Sequence, residues 1–474
     1  MSLTRKIAHN TLIQVIGRGG AGVLAVVAIS FITRYLGREG FGYYTTVVAF
    51  LQFIAILIDF GLTTIAVQMV SERDDGADKI MSNLMTLRTV SAALFLGAAP
   101  AVAFFFPYPG IIKLGIAITT ITFFFQLLLQ TITGIFQKHL AMHIPAAADF
   151  ISRIFFVIAV AALVHFKQGF LPIIWALAAT NLISLIIIYI YSRKFVVIRP
   201  AFDWAIWKNI LSRAWPIGVS IILNLIYLKV DIILLSLYKS QEEVGLYGAP
   251  YKLIDAITMF AMLFMGLILP LLAAAWAKKE TARFAHIFQK TFNLLVIFIV
   301  PMLIGAYFVS DKVMTAMAGD AFAASGKILT ILTIGAAALF VGSLFSHTII
   351  ALDKQKMIIW GYLADAVLSL IGYFIFIPRY SYIGAAWVTV FSESFIVIIG
   401  AVIVWRETGL IPKFLKISAK AVAAALPMAL LLYFIKDASI VISMSAAAAV
   451  YVIFIIIFRG ITIEEVKKII GLKA

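Results

Sequence analysis

The sequence predicts an all-α polytopic membrane protein of about 14 transmembrane helices. Three observations lead there. Of the 474 residues, 63% are hydrophobic and only 13% charged, with a mean hydropathy of +1.07; soluble domains carry about 25% charged residues. Apolar stretches of about 20 residues, the length needed to cross a bilayer, recur along the whole chain. Lysine and arginine gather in alternate turns between those stretches.

In order, spans are expected at 10–34, 43–70, 80–106, 111–137, 146–165, 170–192, 214–238, 247–275, 285–309, 326–351, 358–377, 382–405, 418–435 and 439–458. The third and fourth are parted by Phe106-Pro107-Tyr108-Pro109-Gly110, where two prolines force a turn. An even count puts both termini on one side. With the N-terminus cytoplasmic, cytoplasmic segments hold 23 Lys and Arg against nine on the far side. That asymmetry is the positive-inside pattern. It accounts for the net charge of +16 without nucleic acid, and it places the chain in the cytoplasmic membrane. The basic start MSLTRKIAHNTLIQ runs straight into a long helix, with no short apolar core or cleavage site, so no removable signal peptide is expected.

Composition excludes several chemistries. There is no cysteine, hence no disulfide, thiolate metal site or cysteine nucleophile. His139, His143, His165, His286 and His347 are scattered, without metal-ligand spacing. Gly17 to Gly22 follows no strand and lies inside a span, so it is no nucleotide loop.

The basic segment from Arg193 to Arg213, with Trp204 and Trp207, is expected to form an interfacial helix that splits the chain. The expected organisation is an N-lobe at 1–195, a cytoplasmic linker at 196–213, a C-lobe at 214–406, and two C-terminal helices with a basic tail at 407–474. The lobes read as parallel repeats. The turn from Arg34 to Tyr44 (RYLGREGFGYY) matches that from Tyr238 to Tyr247 (YKSQEEVGLY), aligning Gly42 with Gly245 at an offset of 203. Such repeats place a substrate site at their interface.

Charges inside spans are costly and mark function. The stretch Leu225–Asp255 holds four of them: Lys229, Asp231, Lys252 and Asp255. With Arg18, Arg88 and Arg153, the two lysines would line a path that is cationic from both sides, suited to phosphates. Asp59, Asp149, Asp231, Asp255 and Asp365 would pair with these cations or bind a coupling ion, Na+ or H+. Lys290 is expected to snorkel, and Glu393 completes the set of intramembrane acids. Asp149 with Arg153, and Lys252 with Asp255, have the spacing of local ion pairs, which is the competing reading. Asp59 has no cation within helical reach and would either pair with Arg18 or bind the coupling ion. Pro270 is the hinge candidate, with packing as its alternative.

These residues resemble a family. Arg34 to Tyr44, followed by Asp59-Phe-Gly-Leu62, resembles the opening of Wzx-type polysaccharide flippases. Asp231 through VGLYGA (Val244–Ala249) to Pro270 is similar to the same family's middle section. They belong to the superfamily of multidrug (MATE), oligosaccharidyl-lipid and polysaccharide exporters. The resemblance implies two six-helix lobes and two further helices around a central cavity. It also implies translocation of polyprenyl-pyrophosphate-linked oligosaccharide by alternating access. The implied partners are that glycan, membrane lipids and polysaccharide polymerase or assembly proteins, with no cofactor. A lipid II flippase and a cation-coupled exporter are the alternatives within the superfamily. A membrane glycan polymerase or ligase is disfavoured, because the outer loops are short and hold few candidate catalytic groups.

Overall fold

A computed structural model describes the backbone of residues 3–72, 76–139 and 141–461. Side chains are described over the same ranges except 3–16, 18, 66, 71, 72, 216, 217, 220 and 222–229. Arg18 and Lys229 therefore lie outside the described side chains. The described chain is helical throughout: α1 (Leu3–Asp59), α2 (Leu62–Glu72), α3 (Ala77–Phe104), α4 (Gly110–Lys138), α5 (His143–His165), α6 (Phe170–Ser192), α7 (Trp204–Tyr238), α8 (Gln241–Ala277), α9 (Thr281–Ala318), α10 (Ser325–Ala351), α11 (Gln355–Thr408), α12 (Phe414–Phe434) and α13 (Ile440–Ile457). Among the described residues, eleven helices are long and apolar enough to cross a membrane. This is a multi-pass membrane protein.

Two of these helices each carry two expected spans. α1 bends at Gly37, with φ 65° and ψ −171°, a conformation open to glycine. α11 bends at Ser381, with φ 51°, three residues after Pro378. Both bends fall in the turns read from the sequence. Span 43–70 departs from expectation. It breaks at Phe60 (φ 42°) and Gly61 (φ 79°), so that α1 ends and α2 begins in mid-span.

The chain forms two compact units, Met1–Gly248 and Ala249–Ala474. In the first, α1 packs on α4, α5 and α7, and α4 on α3 and α6. The proline turn is anchored there. Phe106 and Tyr108 stack at 5.6 Å, Phe50 meets both edge-on, and the Tyr108 hydroxyl lies 2.8 Å from that of Ser236 on α7. In the second unit α10 packs between α9 and α11, and α12 and α13 lie on α9. The Tyr451 hydroxyl donates to the Ile297 carbonyl at 2.8 Å, and the Lys312 ammonium donates to that of Ala438 at 3.0 Å, fixing α13 and the turn before it. α8 runs unbroken through Pro250 and Pro270.

The α6–α7 connection is no separate helix. Residues 196–203 run extended along α3, and α7 starts at Trp204 with Asp203 as its cap. Alternate amides of this strap donate to α3 side chains: Val197 to Asp78 (3.0 Å), Arg199 to Ser82 (3.0 Å), Ala201 to Thr86 (3.0 Å) and Asp203 to Asn83 (2.7 Å). A strand presents every second amide on one side, while helix positions 78, 82 and 86 recur on one face, so the two periods mesh. Lys79 pairs with the Asp203 carboxylate at 2.7 Å. The hydrogen bond from Lys79 and the cap amides of Ile206 and Ala205 hold that carboxyl below its usual pKa.

The paired glycines meet. A Cβ on Gly42 would strike the Gln241 carbonyl, and one on Gly245 would strike the Arg38 carbonyl. Arg38 and Gln241 share the offset of 203 seen for Gly42 and Gly245. The Thr46 hydroxyl donates to the Gln241 side-chain oxygen at 2.7 Å beside this crossing.

Two outcomes follow. Replacing Gly245 with Ala forces α1 and the start of α8 apart, and should cost about 1–3 kcal/mol, the range for overpacking. Unchanged thermal melting of the purified variant would show that the crossing has slack. Asn83→Ala leaves the Asp203 amide without its acceptor, and limited proteolysis should cut within 196–203 faster than in the parent. The Lys79–Asp203 contribution is complete at neutral pH, and is lost only as pH falls below the ordinary carboxylate range, because the folded-state pKa is the lower one.

Candidate functional site

The first described charge cluster sits at the α1–α2 break. A break inside a membrane leaves backbone carbonyls that lipid cannot satisfy. Arg88 on α3 supplies the donors. It is fully buried, and its guanidinium reaches the Ile58 carbonyl (3.4 Å), the Asp59 carboxylate (2.5 Å), and the hydroxyls of Thr63 (3.0 Å) and Thr131 (2.9 Å). Thr63 also donates to Asp59 at 2.5 Å. A carboxylate at a helix C-terminus faces the negative end of the dipole, and the guanidinium offsets that. Asp59 thus pairs with Arg88. The two are 29 residues apart and on different helices, beyond what helical spacing reveals.

The second cluster lines a cavity of about 320 Å³ within the first unit, between α1, α4, α5 and α6. Each helix contributes a polar stripe at a helical period. α1 gives Tyr44 and Gln52, α4 gives Thr122, Gln126 and Gln130, and α6 gives Asn181 with Ser184. α5 gives Asp149 and Arg153, which pair at 3.4 Å. This is the local ion pair that the i, i+4 spacing suggests. The glutamines and asparagine carry no charge, so intramembrane charge does not single them out. Their signal was the run Thr122, Gln126, Gln130 inside an otherwise apolar span. Beside this cavity's bundle, an apolar groove of about 700 Å³ is lined by residues of α1, α3 and α7, Phe53, Phe95 and Ile233 among them.

The remaining expected residues are spread out. Asp231 on α7 is buried and accepts from the buried Tyr247 hydroxyl at 2.7 Å. In the second unit, Asp365 on α11 is buried and accepts from the hydroxyls of Ser369 (3.2 Å) and Ser392 (2.7 Å), with Glu393 buried on the same helix as Ser392. Lys252 and Asp255 lie on α8, the first half-buried and the second exposed. Pro270 is exposed on the same helix, and Lys290 is exposed on α9. Among the described residues no cluster of His, Asp and Glu could hold a metal ion.

The sequence and the fold have known relatives. The chain is 23% identical, over 376 residues, to the probable low-salt glycan biosynthesis flippase Agl15 of Haloferax volcanii, covering 79% of this chain and 78% of that one. Among solved structures, the lipid II flippase MurJ in an inward closed conformation superposes with a TM-score of 0.77 at 18% identity, covering 94% of this chain and 98% of that chain. An inward-facing multidrug resistance MATE transporter of the MOP superfamily gives 0.68 at 11% identity, covering 82% and 94%. These two share the fold. A family model described as polysaccharide biosynthesis protein matches residues 3–276, more than half of the sequence, and the chain belongs to that family.

Proposed function

We propose that the protein is a flippase. It moves a polyprenyl-pyrophosphate-linked oligosaccharide across the cytoplasmic membrane by alternating access, for cell-surface polysaccharide synthesis. Both termini are cytoplasmic in this reading. It is a transporter and not a glycan polymerase or ligase. One observation carries the reading: the first unit holds a polar, partly open cavity among its membrane helices, with its charges mutually neutralised. A polar interior of that kind suits the passage of a hydrophilic head group while a prenyl tail stays in lipid. The flippase relative and the family match support it.

In this scheme Arg18 and Lys229 are the first unit's candidates for engaging the pyrophosphate, and Lys252 is, separately, the second unit's. Arg88 has its donors taken by Asp59, by two hydroxyls and by a carbonyl, so its role is to hold the break between α1 and α2. Arg153 reaches a phosphate only by exchanging Asp149 for it. Asp365 is assigned to coupling, because a buried carboxylate held by two hydroxyls can take up H+ or Na+ without breaking an ion pair.

The test is reconstitution in proteoliposomes with a polyprenyl-pyrophosphate-linked oligosaccharide in one leaflet, scoring its arrival in the other with an impermeant glycosidase. Protein-dependent arrival is expected; arrival no faster than in empty vesicles would refute the reading. Asp365→Asn keeps one serine hydroxyl as a donor to its carbonyl and lets its NH2 donate to the other serine oxygen, so it should fold normally. It should lose the acceleration given by an imposed Na+ or H+ gradient, and a retained acceleration would remove Asp365 from coupling. Arg88→Gln strands Asp59 at a helix end and should cost about 3–5 kcal/mol, the range for breaking a buried pair. The double variant Arg88→Gln/Asp59→Asn should recover part of that in thermal melts. A double variant no more stable than the single one would mean that the charges are not coupled.

A further inference from the structure

The amide-lined cavity of the first unit holds more information than its charge balance. We propose that it is a saccharide subsite that takes one pyranose ring of the cargo, an inference that rests on the flippase reading above.

Chemistry and size both point to a sugar. A pyranose presents hydroxyls that donate and accept at once, and a carboxamide is the uncharged side chain that does the same. Gln52, Gln126, Gln130 and Asn181 place four of them around one space. Tyr44 and Phe123, both buried, add ring surface of the kind on which the apolar face of a sugar rests. At about 320 Å³ the cavity lies at the small end of ligand sites, which run from about 300 to 1,000 Å³. That is room for a single ring and not for an oligosaccharide.

A second observation is independent of the amides. Thr122 is 2% exposed and lines the cavity, yet its hydroxyl oxygen has no hydrogen-bond partner among the described residues. Most buried hydroxyls find partners. Several threonines of this chain donate to a carbonyl one turn back, as Thr131 and Thr180 do. Thr122 makes no such bond, and its oxygen is itself buried in the wall, so a turn of the side chain brings it to a ligand hydroxyl in the cavity.

The charge pattern excludes the other ligand classes. Asp149 and Arg153 are the charged residues of the lining, and they pair with each other, so the cavity has no net charge for a pyrophosphate or a bare cation. An apolar drug or prenyl chain would bury the amides unsatisfied. A sugar satisfies the amides, and the hydroxyl as well once the Thr122 side chain turns.

The full-length protein in lipid nanodiscs should be probed by saturation-transfer NMR with glucose, galactose and N-acetylglucosamine, and with inorganic pyrophosphate as the anionic comparison. Saturation of the ring protons of at least one sugar is expected. Gln126→Leu should weaken that sugar's binding by about tenfold, the effect of losing one or two hydrogen bonds. Thr122→Val, nearly isosteric, should weaken it less and serves if the leucine variant does not fold. Saturation of no sugar, or sugar binding untouched by both substitutions, overturns the proposal. So does a pyrophosphate competing with the sugar for this cavity. Proteoliposome translocation by the same samples separates the two readings. Wild-type translocation without sugar binding rejects the subsite alone. Sugar binding that the substitutions weaken, without translocation, rejects the flippase and keeps the site.

Discussion

Hydrocarbon offers no partner to a broken helix, and this constraint governs the first unit. α1 stops in mid-span at Asp59, and the carbonyl and carboxylate exposed there are met by one guanidinium from α3. Thr63 from the far side of the break and Thr131 from α4 complete its hydrogen bonds. One side chain thus ties together α1, α2, α3 and α4. An intramembrane arginine is most readily read as a binding group. Here the same cost of burial makes it a structural tie, because each of its three nitrogens already has an acceptor.

Legibility in the sequence followed the range of the interaction. Spans were legible because a bilayer sets one length for all of them, and the bends at Gly37 and Ser381 because turn chemistry is local. The Asp149–Arg153 pair was legible because i, i+4 neighbours share a helix face. The Asp59–Arg88 pair was not, since helix–helix packing decides which of several arginines a carboxylate meets. The break at Phe60-Gly61 was hidden for the same reason: an apolar run looks continuous, and the arginine that permits the interruption lies elsewhere.

The polar cavity was missed on other grounds. A search for intramembrane charge ranks residues by desolvation cost, and amides rank low on that scale. Yet Thr122, Gln126 and Gln130 repeat at four-residue intervals on α4, a stripe as regular as any apolar one. The expectation of a helix over 193–213 holds from Trp204 onward, where the tryptophans lie, and fails over the extended strap at 196–203. What decides its shape is α3, whose Asp78, Ser82, Asn83 and Thr86 offer acceptors to an extended chain.

The crossing of Gly42 and Gly245 has a meaning for descent. Gly42 meets Gln241 while Gly245 meets Arg38, so each position touches the counterpart of the residue that touches its own counterpart. Reciprocity of that kind defines the contact across a two-fold axis between identical subunits. If the two halves arose by duplication, the ancestral unit was a shorter chain that paired with itself, and one glycine then served both sides of the axis. Fusion turned that single position into two, each free to mutate alone. Close backbone approach still binds them, so what one position can become is limited by the other.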